Sequence, residues 1–507
     1  MEAKRQSMRM ALTSAFKICL LSLPMFLAST VNGESVQQGE KQMSSNLFQH
    51  PAHPSYLMDA TGKTFVPIGL NICFVRNAKP GEEAKSLATF HSWFKAFSEN
   101  GGNYVRIWCS VPLFNVMPER FGEFSEQNLA HLREIVRYAE EMNLKLKFTL
   151  EQFRNPNPEN AKGNSFQKGL FLDPAYSLYA KDMKGYCESA ECRRMYLAKA
   201  KVIADALASS PALVAIDLWN EIDAIGSVHG YVGEWTEAIM PEVQKLFPRQ
   251  LVLQNLGSHC NLYSYADYHY QAHLKNNNIL QIHRYLDPGA PMEICQAPMD
   301  VLCADSIKAM TAYGVKKPIL LAETGAVKPN HTGPSELYEK DSQGTLLHDA
   351  LFAPFFAGSA GCGQFWHWDS YIDRWNLWHH FARFAKAIEG LDPAAEQFSP
   401  AQCETAHCRI YILHGRRHDL YWLKDKRNTW QSELVEGKPP QVVQEFYLPL
   451  WAKGQTTAYF PWEDRHTVPE IKDEYFCHVP AFRRSLVLRV QHNGHSKYLQ
   501  RETSDLR

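Results

Sequence analysis

The chain has 507 residues, 45% of them hydrophobic, with 53 basic and 54 acidic side chains and a net charge of -1. That length allows a large core and more than one domain, while the balanced charge and the lack of a long basic run exclude an electrostatic nucleic-acid surface. The 12 Trp, 22 Tyr and 27 Phe exceed what a core requires, which leaves rings to line a groove.

The N-terminus reads as a secretory signal over residues 1–33. Lys4, Arg5 and Arg9 precede an apolar run, ICLLSLPMFLA at 18–28, too short to span a bilayer, and small residues follow up to Gly33. A polar leader covers 34–50. The protein is therefore expected to be secreted or periplasmic, with no membrane span once the signal is removed. Cysteine usage fits an oxidising compartment. The pairs Cys187/Cys192, Cys295/Cys303 and Cys403/Cys408 are close in sequence and are expected as local disulfides. Cys73, Cys109, Cys260, Cys362 and Cys477 lie in or beside apolar segments and read as buried thiols. No cysteine spacing fits a zinc site.

From residue 51 to 392 strand-like and helix-like segments alternate. Strands are expected at 65–70, 103–109, 145–150, 213–219, 250–254, 279–283, 318–322 and 363–368. Helices are expected at 85–98, 127–142, 193–208, 232–247, 300–313, 344–357 and 375–388. A long polar loop covers 155–182. Eight such strands, seven of them followed by a helix, predict an α/β fold, a (β/α)8 barrel. A doubly wound sheet would carry a glycine-rich loop after its first strand, and LNICF at 70–74 is not one. Beyond residue 392 the pattern changes to short alternating segments at 409–413, 419–423, 442–448, 456–460 and 485–490. Residues 393–507 are therefore expected to form a smaller antiparallel β-sandwich.

Two of the predicted strands deliver a Glu to their C-terminal end. LVAIDLW at 213–219 is followed by Asn220-Glu221, and PILLA at 318–322 by Glu323. In a parallel barrel that end carries the chemistry. Two carboxylates there suit hydrolysis of a glycosidic bond with retention, one attacking and one exchanging a proton. Arg106, inside the apolar run NYVRIWC, is costly unless paired and is a partner for the attacking carboxylate. His283 and Tyr285 end the sixth strand, where a Tyr hydroxyl could bond the same carboxylate. Asn220 is placed to bind a sugar hydroxyl. Trp366, and after it Trp368, are candidate floors for a sugar ring. His379-His380 suggests no metal, because neighbours on a helix face different ways and no further ligand is spaced to help. No metal or organic cofactor is expected.

Taken in order, Arg106, Asn220-Glu221, His283-x-Tyr285, Glu323 and Trp366 resemble clan A of the retaining glycoside hydrolases. The opening FVPIGLN at 65–71 resembles family 5, the cellulase and mannanase group. The resemblance covers about residues 55–390, and some bacterial members carry a C-terminal β domain. It implies that Glu221 is the acid/base and Glu323 the nucleophile. The expected function is a secreted, monomeric hydrolase of β-linked glycans of mannan or glucan type. A catalytically silent sugar-binding protein and a transglycosylase using the same site are the alternatives.

Overall fold

The computed structural model describes residues 46–76, 78–118, 120–152 and 177–492. The expected signal, most of the leader and most of the long loop at 155–182 lie outside the described residues.

Five strands form a parallel sheet in chain order: Gly69–Asn71, Tyr104–Trp108, Lys145–Glu151, Leu213–Trp219 and Leu251–Leu253. Leu280–His283 and Ile319–Glu323 form a second parallel pair. The segment expected as an eighth strand makes no ladder. Its Phe365 instead forms single parallel bridges, to Leu70 on one side and Thr324 on the other. Gly361 and Gly363 permit that passage, because a Cβ on either would meet backbone oxygen at 2.2 Å (Pro67) or 2.3 Å (Ala350). The strands are apolar because they are covered on both faces, as parallel sheets require. The burial of all seven residues of Leu213–Trp219 is an example.

Helices Glu83–Glu99, Glu126–Glu141, Ala190–Leu207, Tyr231–Leu246, Met299–Thr311 and Thr345–Phe356 fall where the sequence places them. Ser125 and Ser189 cap two of them, each hydroxyl accepting a backbone N–H of the first turn. Helix Ser264–His273 was not anticipated. Its sequence, SYADYHYQAH, carries little apolar stripe, and its burial of Tyr268, Gln271 and Ala272 is a tertiary effect.

Past residue 396 the regular structure is almost entirely strand. A six-stranded antiparallel sheet runs in the order Ser399–Glu404, Cys408–His414, His418–Asp425, Ser485–Gln491, Gln455–Phe460, Arg465–Thr467. Both of its faces are covered. Ile410, Ile412, Tyr421, Leu423, Leu486 and Leu488 share a core with Leu448, Cys477 and Val479 of a small three-stranded sheet. The alternate residues Tyr411, Leu413, Trp422 and Val487 join the main core instead. That second contact explains helix Thr345–Phe356, which is buried at every position. A helix buried all round is covered on all sides and must have its polar groups paired: Asp349 meets Lys424 at 3.1 Å, His348 meets Ser485 at 2.7 Å, and Trp422 stacks on Phe352 at 5.7 Å. The Arg409 guanidinium grips Asp300 with two bonds of 2.6 and 2.7 Å across the same junction.

The expected disulfides are not formed; every described cysteine is a free thiol. Cys303 Sγ lies against Thr324 Oγ1 at 3.8 Å, whereas Cys295 Sγ faces the His259 carbonyl at 4.0 Å, so the two thiols have different neighbours. Cys403 pairs with Ile410, two residues past Cys408, which makes the two cysteines diagonal neighbours. That diagonal is about 7–8 Å, too long for an unstrained bridge. Cys187 and Cys192 sit in two successive helices and are both packed into the main core.

Candidate active site

The site is built at the C-terminal ends of the parallel strands. Glu221 follows the Leu213–Trp219 strand in a left-handed conformation, with φ 49°. A non-glycine residue adopts that conformation only when its surroundings fix it. Here Glu221 N–H donates to Asn255 Oδ1 at 2.7 Å, and Asn220 N–H to the Glu151 carbonyl at 2.7 Å. Glu323 ends its strand at a register shift: Leu321 pairs with Ile282, but Glu323, two residues on, pairs with His283. The bulge re-aims the carboxylate toward the sixth strand.

Arg106 sits at the centre and is fully buried. Nη1 bonds Glu323 Oε1, Nη2 bonds Asn220 Oδ1 at 2.7 Å and Asp217 Oδ2 at 3.2 Å, and Nε bonds Thr149 Oγ1 at 2.8 Å. Burial opposes its charge, but Glu323 and Asp217 overcome that, and its pKa moves up. It is therefore a permanent cation against Glu323. Tyr285 donates its hydroxyl to the other oxygen, Oε2, at 2.7 Å. Burial, then the charges of Glu323 and Glu221, hold that phenol well above its ordinary pKa, so it stays a donor. His283 Nδ1 lies 3.0 Å from Glu221 Oε1 and 3.5 Å from Glu323 Oε2. One oxygen of each carboxylate and this nitrogen all lie within 4.8 Å of one another.

Among the described residues these three are the one group of His, Cys or carboxylate donors close enough to share a metal ion. Both Glu323 oxygens already face donors, and the Arg106 charge repels a second cation. The two carboxylates differ in environment. The Glu323 side chain is 4% exposed and held by a cation and a phenol, while that of Glu221 is 17% exposed and faces His283.

Of the two tryptophans, Trp366 is half-buried at the site, packed against Phe74, Trp108 and Trp368. Trp368 is fully buried behind it, against Phe74 and Trp93, and supports Trp366 rather than reaching the opening. Arg76 pairs with Asp369 at 2.8 Å beside them, joining the segment after the first strand to the segment after Trp368.

Several supporting residues escaped the sequence reading. Asp217 accepts from both Arg106 and Asn255. A charge inside LVAIDLW is the same signal that singled out Arg106. Burial raises its pKa despite Arg106 and Lys147. Glu151 is buried with Lys199 at 2.5 Å. Lys147, beside Arg106 in the strand register, bonds Gln281 Oε1 at 2.5 Å in the sheet interior.

No family model matches the chain, and no curated protein matches it in sequence. Solved structures do match. One described only as a glycoside hydrolase aligns over 89% of this chain and 97% of its own, with a TM-score of 0.59 and 10% identity. A family 5 glycoside hydrolase from Bacteroides vulgatus ATCC 8482 aligns over 90% of this chain and 98% of its own, with a TM-score of 0.54 and 11% identity. The chain shares its fold with family 5 glycoside hydrolases. An alignment over 90% of the chain takes in both the parallel and the antiparallel regions. An exo-β-1,4-mannosidase from Opitutaceae bacterium strain TAV5 matches at 19% identity and a TM-score of 0.46, over 66% of this chain. The match spans 61% of that enzyme, less than two thirds of its length.

Proposed function

We propose that the protein is a secreted retaining hydrolase of β-linked glycans, of mannan or glucan type, built on a (β/α)8 barrel with a β-sandwich. The observation that carries this is the carboxylate pair. Glu221 and Glu323 come from the fourth and seventh parallel strands and approach within 4.8 Å through one oxygen each. Retaining enzymes hold their carboxyl groups about 5–5.5 Å apart, and inverting ones about 6.5–9.5 Å.

The neighbours assign the roles. Glu323, gripped by Arg106 and Tyr285, is the ionised group and attacks the anomeric carbon. Glu221 donates its proton to the departing oxygen as that bond breaks. A covalent glycosyl-enzyme results. Glu221, now a carboxylate, takes a proton from water, whose oxygen displaces Glu323 and restores the configuration at carbon. His283, facing both carboxylates, orients them as charge moves between them. Asn220, held by Arg106, offers its amide to the sugar, and Trp366 offers a face to the apolar side of the ring. No cofactor is required for these steps.

Hydrolysis of a panel of aryl β-glycosides and β-linked polysaccharides tests the reading. Glu323→Ala and Glu221→Ala should each lower turnover by roughly three orders of magnitude or more. Azide should rescue the first, giving a glycosyl azide of inverted configuration. Full activity in either variant would sink the assignment, and binding without hydrolysis would favour a silent sugar-binding protein.

A further inference from the structure

The loop after the seventh strand is fastened to the loop after the sixth. Leu286 N–H donates to the Gly325 carbonyl at 2.8 Å and Val327 N–H to the Leu286 carbonyl at 2.9 Å. Beyond this zipper the chain makes two successive left-handed residues, Asn330 at φ 56° and His331 at φ 60°. Neither is glycine, so the conformation is kept only with support from its surroundings. It is held from beneath by Asp287, whose Oδ1 accepts from Asn330 N–H at 3.1 Å and Gly289 N–H at 2.8 Å. Gly289 lets the two loops touch, because a Cβ there would lie 2.4 Å from the Asn330 nitrogen.

The outcome of that arrangement is the position of one imidazole. The His331 ring stands edge-on over the Tyr285 ring at 4.4 Å. Tyr285 is the residue that donates to Glu323. His331 Nδ1 lies 3.9 Å from Asp287 Oδ2, and its side chain is 41% exposed. Packing alone does not account for an exposed imidazole on a strained, doubly fastened loop, one ring away from the group that holds the nucleophile.

We propose that His331 is a substrate-binding residue whose imidazole hydrogen-bonds a hydroxyl of the sugar that Glu323 attacks. The assignment rests on the glycosidase reading and deepens it, because it makes the sixth and seventh loops one wall of the sugar site. Imidazole suits the task, since its two nitrogens offer a donor and an acceptor to a hydroxyl. The Asp287 carboxylate lies behind the ring.

The test compares wild type, His331→Ala, His331→Asn and Gly289→Ala on the aryl β-glycoside that wild type cleaves best. His331→Ala should lower kcat/KM about tenfold, with the loss in KM, as expected for a contact made equally before and during reaction. Asparagine tolerates the left-handed conformation and keeps a donor and an acceptor, so His331→Asn should recover most of the loss. Gly289→Ala keeps the imidazole but displaces it, and should reproduce the KM effect. Melting temperatures show whether each variant folds. A kcat/KM within twofold of wild type in His331→Ala, or a loss confined to kcat, overturns the proposal.

Calorimetry with β-1,4-linked mannotriose and cellotriose separates the two readings. If wild type binds a trisaccharide but cleaves nothing, the glycosidase reading fails. Weaker binding by His331→Ala would then still support the sugar contact, and equal binding would overturn it. If wild type neither binds nor cleaves, both fall.

Discussion

Replacing Lys147 should flatten the dependence of stability on pH between about 7 and 10. Lys147 is fully buried, with its Nζ on Gln281 Oε1 and Arg106 beside it in the register. Burial, and after it the Arg106 charge, lower its pKa from 10.5 to about 7. Below pH 7 the amine is charged in both folded and unfolded chains, and the fold bears the whole cost, roughly 5 kcal/mol for a displacement of that size. Between pH 7 and 10.5 the unfolded chain holds a proton that the folded chain has released, so stability rises with pH by about 1.4 kcal/mol per unit. Above 10.5 the amine is neutral in both states and the cost is gone. Methionine is close in length and has no charge to bury. The single change would strand Gln281 Oε1, at about 1–3 kcal/mol, so the informative variant is Lys147→Met with Gln281→Leu. Urea midpoints at constant ionic strength, followed by tryptophan fluorescence from pH 6 to 10, measure the difference from wild type. The double variant should be the more stable by a few kcal/mol at pH 6, and its advantage should shrink toward pH 10. An advantage constant to within about 0.5 kcal/mol over that range would refute the buried-charge argument.

The remaining expectations concern the platform and the junction. Trp366→Ala should raise KM on the order of tenfold to a hundredfold, the equivalent of about 1.5–3 kcal/mol of lost apolar contact, with a much smaller change in kcat. An unchanged KM would remove Trp366 from the sugar site. Arg409→Met alone leaves the buried Asp300 carboxylate its Tyr411 hydroxyl but not its ion-pair partner and should cost about 3–5 kcal/mol in urea unfolding, whereas Arg409→Met with Asp300→Leu should recover most of that. A double variant as unstable as the single one would mean that the pair, not the stranded charge, sets the stability of the junction.

Much of the candidate site was legible because its signals are local. A strand that ends in Glu and an Arg inside an apolar run each break a pattern that burial otherwise imposes, and Asp217 carries the same signal unread. Residues 213–221 and 318–323 declare themselves without any knowledge of what lies opposite, and the change of pattern near residue 392 is equally plain. Other features belong to contacts between distant segments. The Glu323 bulge exists only in register against His283. The left-handed Glu221 depends on Asn255, 34 residues away. Trp366 and Trp368 are both candidates by position, in that order, and only packing turns the second one inward. The cysteine pairs are near in sequence, but proximity along the chain does not fix where two thiols point, and Cys295 and Cys303 end up with different neighbours. Sequence pattern determines which side chains each strand and helix must bury or present. Tertiary structure alone decides which of them meet, because register, bulges and loop fastening are settled by partners that the local sequence does not contain.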